Sequence, residues 1–278
     1  MEAVRAYRGA LGSRLVAAYG LGSLAHGGFS PQVSDVDLCL VLADPLDPGD
    51  EETVRGVAET VRSGGTPLHA RLSVFWASPS TLRGSAGGGR LPPLDRLDLI
   101  EHGLLLAGED VRSDLPLPRR SGLLVAGAEF ALEFLAGIGP RPDSLGPRLG
   151  SMRPAAGDAV DQLRSPEVLW ARGVRQVTKT VLFPVRFLYT AATGQVGTNQ
   201  SAALHYLGDQ HAPAGDLVAA ALAWRDAPPE AAPAMALLDR DLRPLYLHYI
   251  DDHVARLTEL GRFDLVDAFL NWRNQITT

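Results

Sequence analysis

Residues 20–42 read GLGSLAHGGFSPQVSDVDLCLVL, and no other stretch restricts the fold of this chain so tightly. An apolar run ends in Gly22-Ser23, small residues follow, and Asp35-Val36-Asp37 leads into the unbroken apolar run Leu38 to Leu42. The pattern reads as strand, loop, strand. Side chains two apart on a strand share a face, so the Asp35 and Asp37 carboxylates project together, roughly 6.5–7 Å apart along the chain. Two carboxylates that close repel one another unless a cation lies between them. Hard oxygen ligands of this kind suit Mg²⁺ or Mn²⁺, and Mg²⁺ typically takes one or two carboxylates together with substrate phosphates. The loop at Gly22-Ser23 offers backbone N–H groups and a hydroxyl to a phosphate chain. The local chemistry is that of a metal-nucleotide site.

The arrangement resembles the nucleotidyltransferase superfamily that includes polymerase β, whose signature is Gly-Ser, a spacer, and Asp-x-Asp on the next strand. Within it, Gly22, Ser23, Gly27, Gly28, Phe29, Pro31, Ser34, Asp35, Asp37 and Leu38 follow the wording of the antibiotic (aminoglycoside) nucleotidyltransferases. Gln32-Val33 makes the spacer one residue longer than that pattern. The resemblance implies transfer of a nucleoside monophosphate, with AMP from ATP as the default, to a hydroxyl of a small molecule of the aminoglycoside kind. Asp35 and Asp37 would be metal ligands and catalytic residues. Gly22 and Ser23 would hold phosphates, and Ser34 would orient a carboxylate or serve as a plain turn hydroxyl.

Composition agrees with a protein of enzyme size. At 278 residues the chain accommodates one large or two ordinary domains. No apolar run reaches membrane-spanning length, and the first residues lack a basic segment followed by an apolar one, so a cytoplasmic protein without a membrane partner is expected. The single cysteine, Cys39, excludes an internal disulfide framework, fits a reducing compartment, and reads as a buried structural thiol. A net charge of −6 argues against a broad nucleic-acid surface.

The expected fold class is α+β: an N-terminal α/β domain with a mixed sheet over 1–118, then an all-α helical bundle over 119–278 that supplies a substrate or lid domain. Helical spacing runs over residues 3–18 and a strand over Val16–Leu21. A helix is expected over Glu51–Arg62, a third strand over Leu68–Ala77, a mobile Gly-rich loop over 83–93, and a helix ending in a strand over Leu94–Leu106. The second half offers helices at Leu123–Leu135, Ser165–Thr193, Asn199–Leu207, Asp216–Arg225, Ala231–Leu260 and Asp264–Gln275, with a Pro-Gly segment over Gly137–Arg153.

One departure from the family bears on catalysis. Active members place a third carboxylate on the strand after Asp-x-Asp, whereas residues 68–76 here contain no acid. Alternation sets His69, Arg71 and Ser73 on the face expected to meet the aspartates. A histidine there is a possible base and an arginine a phosphate ligand or metal substitute; both also fit a plain polar face. Glu101, Glu129 and Glu133 are the other candidate bases, or solvated helix-face carboxylates. Arg172, Arg175, Lys179 and Arg186 fall on one helical stripe, read either as a triphosphate clamp or as a solvated face answered by neighbouring acids. A nucleotide-binding sensor that has lost its base is the rival to an active transferase.

Overall fold

The computed structural model describes residues 2–138 and 156–278. Contacts divide it into two compact units, one ending at Pro118 and the other beginning at Arg119.

The first unit opens with α1 (Glu2–Leu11), which buries Val4, Tyr7 and Leu11. The helix does not run to residue 18. Gly12 takes φ +53°, a single tight turn spans Gly12–Arg14, and Leu15–Leu21 becomes β1. Tertiary pairing overrides local periodicity here, because β1 lies between two sheet neighbours. Next come α2 (Ser23–His26), β2 (Val36–Leu42), α3 (Asp50–Arg62) and α4 (Pro67–Ala70). They are followed by β3 (Leu72–Ala77), α5 (Pro79–Arg83), α6 (Pro93–His102) and β4 (Leu104–Gly108). The sheet order is β3-β2-β1-β4. β1 is antiparallel to β2 and β4, while β2 and β3 are parallel. The sheet is mixed, as the sequence suggests.

Both faces of this sheet are covered, which explains why β2 is apolar without interruption. Leu38, Leu40 and Leu42 pack with Val74 and Trp76 against α1 and α3. The alternate residues Cys39 and Val41 join Tyr19, Leu21 and Phe75 beneath Leu82 of α5 and Leu99 of α6. Each fully buried leucine contributes on the order of 1.5–3 kcal/mol. Tyr7 donates to the Val54 carbonyl at 3.0 Å and so ties α1 to α3. Burial raises the Cys39 thiol far above its ordinary pKa, consistent with a structural role. The Gly-rich loop over 83–93 is pinned at its far end, since Arg90 and Trp76 exchange backbone hydrogen bonds at 2.6 and 3.0 Å.

The second unit is all-α among the described residues: α7 (Arg120–Phe134), α8 (Ala156–Arg164), α9 (Pro166–Trp170), α10 (Val174–Thr193), α11 (Asn199–Leu207), α12 (Gly215–Ala223), α13 (Ala231–Glu259) and α14 (Phe263–Thr277). Its core gathers Leu132, Val181, Tyr246, Tyr249, Phe269 and Trp272. The single helix expected over Ser165–Thr193 is two, because Gly173 adopts φ +86° between α9 and α10. Of the expected Pro-Gly segment, positions 139–153 lie outside the described residues. No described helix is long and apolar enough to cross a membrane.

Candidate functional site

The sheet register explains the first half of the motif. Leu21, the last residue of β1, pairs with Asp37. The next residue, Gly22, leaves the strand at φ 59°, ψ −143° and starts α2, where its carbonyl accepts from the N–H groups of Ala25 and His26 at 3.0 Å each. A Cβ at Gly22 would lie 2.5 Å from Asp37 Oδ2. Glycine is thus required twice, for a backbone conformation that L residues avoid and for the approach of a carboxylate. Asp35 stands one residue before β2, and strand parity puts it on the Asp37, Cys39 and Val41 face. Ser23 opens α2 and is half-buried. Ser34 is buried, and its hydroxyl accepts from the Ser30 N–H at 3.0 Å, which closes the turn before the aspartates.

The third strand differs from expectation. It begins at Leu72, because Thr66-Pro67 starts a helical turn in which the Thr66 hydroxyl accepts from the His69 N–H at 3.3 Å. His69 and Arg71 are therefore not on the strand. His69 Nε2 lies 3.3 Å from Glu2 Oε2, so its partner is α1. Arg71 donates to the carbonyls of Pro31 at 2.8 Å and Ser34 at 3.5 Å, bracing the loop that delivers Asp35. Ser73 alone of the three keeps the expected place, paired with Asp37 across β2 and β3. The β3 positions sharing its face are Phe75 and Ala77, so this strand brings no carboxylate to the aspartates.

A carboxylate arrives instead from α6. Asp98 Oδ2 accepts the Gly22 N–H at 2.7 Å, and its Oδ1 meets His26 Nε2 at 2.6 Å. Gly22 accordingly contributes its shape, and its N–H is committed to Asp98. The two side chains are 8% (His26) and 12% (Asp98) exposed. His26 also packs edge-on to His102, with ring centroids 4.7 Å apart. Glu101, from the same helix, lies 3.7 Å from His102 Nε2. Neither His26 nor Asp98 stands out in the sequence. The available signal was an acid at position 98 between two buried leucines, Leu97 and Leu99, where a solvated helix face has no place.

In the helical unit the basic stripe is shorter than the wheel suggests. Arg172 precedes Gly173 and is off α10, and Arg186 donates to the Gly197 carbonyl while lying over the Phe183 ring. Arg175 and Lys179 remain one turn apart on α10. Glu129 on α7 is 3.6 Å from Arg262, and Glu133 follows one turn later, half-buried.

The carboxylate pair suits a hard divalent cation that takes its remaining ligands from phosphate and water, since Asp35 and Asp37 supply oxygen donors only. Among the described residues no group of three or more His, Cys, Asp or Glu side chains forms a self-sufficient metal site.

Comparison with solved structures gives the architecture a precedent. The structure matches the spectinomycin adenyltransferase AAD(9) from Enterococcus faecialis, solved with ATP and spectinomycin, at a TM-score of 0.51 and 12% identity, over 100% of this chain and 99% of that one. The chain has the nucleotidyltransferase fold. No family model matches the sequence, and no curated protein matches it either.

Proposed function

We propose that this protein is a nucleotidyltransferase that moves a nucleoside monophosphate, AMP by default, from a metal-bound NTP to a hydroxyl of a small aminoglycoside-like molecule. The observation that carries this reading is the closure of Gly22 on Asp37 within a mixed sheet of nucleotidyltransferase type. Asp35 and Asp37 would hold the divalent cation, whose charge would offset that of the triphosphate and of the pyrophosphate leaving group. Ser23 offers its hydroxyl and N–H to the β and γ phosphates, and Ser34 with Arg71 keeps the aspartate loop in place. Arg175 and Lys179 of α10 have the chemistry to bind phosphate, Lys179 as a point charge and Arg175 as a fork. The neighbour's ATP and spectinomycin make these the first donor and acceptor to try.

The test begins with thermal unfolding in Mg²⁺ or Mn²⁺ and each of the four NTPs. Ligand at about 100 times its Kd stabilises by about 2.7 kcal/mol. The expected outcome is a metal-dependent rise with one NTP, absent from Asp35→Asn/Asp37→Asn, followed by labelled monophosphate transfer to spectinomycin. Turnover unchanged by Asp35→Asn would end this mechanism. A second reading, a nucleotide sensor without transfer, draws on the β3 face that carries Ser73, Phe75 and Ala77 and no acid. Metal-dependent binding with no pyrophosphate release would favour it.

A further inference from the structure

β3 brings no acid to the aspartates, and one buried pair beside the motif has the chemistry to serve as the proton acceptor instead. We infer that His26 is the general base of this site and that Asp98 is the residue that positions it; the inference rests on the nucleotidyltransferase reading above.

Four observations converge on this pair. It is bound to the motif itself, because one Asp98 oxygen holds the Gly22 N–H and the other holds His26 Nε2. Gly22 is also the residue against which Asp37 closes. By standard backbone dimensions, Asp98 Oδ2 and Asp37 Oδ2 lie within about 8 Å of each other on either side of one glycine. α6 covers the same sheet face as Asp37: Leu99 packs on Cys39 and Val41, and Asp95 and Asp98 add to the burial that raises the Cys39 thiol. The Asp98 carboxylate is nearly buried, and each of its oxygens has a partner.

The geometry also selects a tautomer. With Asp98 as a carboxylate, the 2.6 Å contact is a hydrogen bond donated by His26 Nε2, which leaves Nδ1 as the nitrogen able to take up a proton. A carboxylate fixing an imidazole in that form is the arrangement that makes histidine an effective base near neutral pH. In the reaction, His26 Nδ1 takes the proton of the acceptor hydroxyl as that oxygen bonds to the α-phosphorus. The bond from the α-phosphorus to the bridging oxygen of the β-phosphate breaks, and its electron pair leaves with pyrophosphate. The imidazolium is stabilised by Asp98 and later returns its proton to solvent. His102 of α6 packs on the His26 ring, Glu101 stands beside His102, and Asp37 of β2 lies beyond Gly22.

The experiment uses the full chain with Mg²⁺, ATP and spectinomycin, and reads pyrophosphate release from pH 5 to 9. His26→Gln is expected to lower kcat by about 10²–10³-fold with KM for ATP within about twofold, and to abolish the acidic limb of the pH–rate profile. Asp98→Asn is expected to cost about 10–100-fold, and imidazole in the buffer to restore part of the rate of His26→Ala. A readout independent of turnover is the ¹⁵N spectrum of the wild-type histidines. The His26 resonances, assigned on the wild type through its own backbone, are expected to report protonated Nε2 and unprotonated Nδ1, which settles the tautomer even where a variant fails to fold. The opposite tautomer overturns the proposal. If the wild type releases pyrophosphate and folded His26→Gln matches it across the pH range, the base role falls and the transferase reading stands. If the wild type binds Mg-ATP and releases none, the transferase reading fails at its chemical step and the base role goes with it.

Discussion

Each unit buries one histidine against an aspartate, and the two pairs differ in nearly every physical respect. In the helical unit His253 and Asp252 are neighbours in sequence on α13. His253 is 1% exposed, its Nδ1 stands 3.3 Å from Asp252 Oδ2 without directed hydrogen-bond geometry, and its ring stacks on Phe269. Arg256 binds Asp252 at 2.9 Å. In the sheet unit His26 and Asp98 are 72 residues apart and meet at 2.6 Å, with the second Asp98 oxygen on the backbone of the motif. The first pair is walled in by aromatic rings and answered by an arginine of its own helix. The second joins a helix to a glycine that touches a candidate metal ligand. The same two residue types make a core contact in one place and a poised group in the other, and the third partner decides which.

The largest expected effect is at the glycine that separates the pairs' roles. Gly22→Ala adds a Cβ 2.5 Å from Asp37 Oδ2 at a φ that alanine avoids, so the sheet unit should lose about 2–5 kcal/mol and its metal-dependent nucleotide binding. Gly27→Ala is the matched control: its φ is +77° and a Cβ there meets nothing within 4 Å, so only about 1 kcal/mol should go. Urea unfolding of both variants, with fluorescence and far-UV signals compared because two units need not unfold as one, checks the difference. Equal losses would mean that the contact with Asp37 yields freely.

The sequence displayed the part of this corner that is local. Gly22-Ser23 and Asp35-x-Asp37 lie in one short segment, and the apolar run after Asp37 declares a strand buried on both faces. The mixed sheet and the all-α second half were legible for the same reason, since each follows from periodicity and turn residues within about twenty positions. The Asp98–His26 contact was not, because it depends on how α6 lies across the sheet, which no local pattern encodes. His69 and Arg71 went to the wrong place because Thr66-Pro67, a helix start in plain view, outweighs β propensity over the next four residues. The stripe on α10 lost Arg172 to a glycine whose φ is positive, and Arg186 to a carbonyl eleven residues away.

The helical pair should respond to pH. Burial is the main cause that lowers the His253 pKa, with the Asp252 carboxylate partly offsetting it. Burial also opposes charge on Asp252, yet His253 and Arg256 hold its carboxyl down at about 2, so it stays ionised throughout the range of interest. A folded-state histidine that resists protonation means that the unfolded chain binds more protons as pH falls. Stability of the helical unit is therefore full above the unfolded histidine value of about 6.5 and declines below it, by at most about 1.4 kcal/mol per pH unit. His253→Phe keeps the stack on Phe269 and should flatten that slope between pH 6.5 and 4.5. Chemical denaturation at several pH values measures it, and a slope that survives the substitution would locate the acid sensitivity elsewhere.

The smallest effect sharpens the comparison most, because it asks whether the sheet-unit corner is a cation site at all. Ser73 pairs with Asp37 across β2 and β3, so Ser73→Glu places a third carboxylate beside the two already there. Like charges directly opposite on neighbouring strands are destabilising, here by up to about 1 kcal/mol without metal. If Asp35 and Asp37 bind a divalent cation, the added ligand should turn that penalty into a gain: millimolar Mg²⁺ or Mn²⁺ should raise the Tm of Ser73→Glu more than that of the wild type. The same substitution in Asp37→Asn should show neither the penalty nor the rescue, because the charge it opposes is gone. A penalty that metal fails to relieve would show two aspartates answered by protein cations alone. His26 would then have no metal-bound phosphate to work against, and the two histidine pairs would be alike after all.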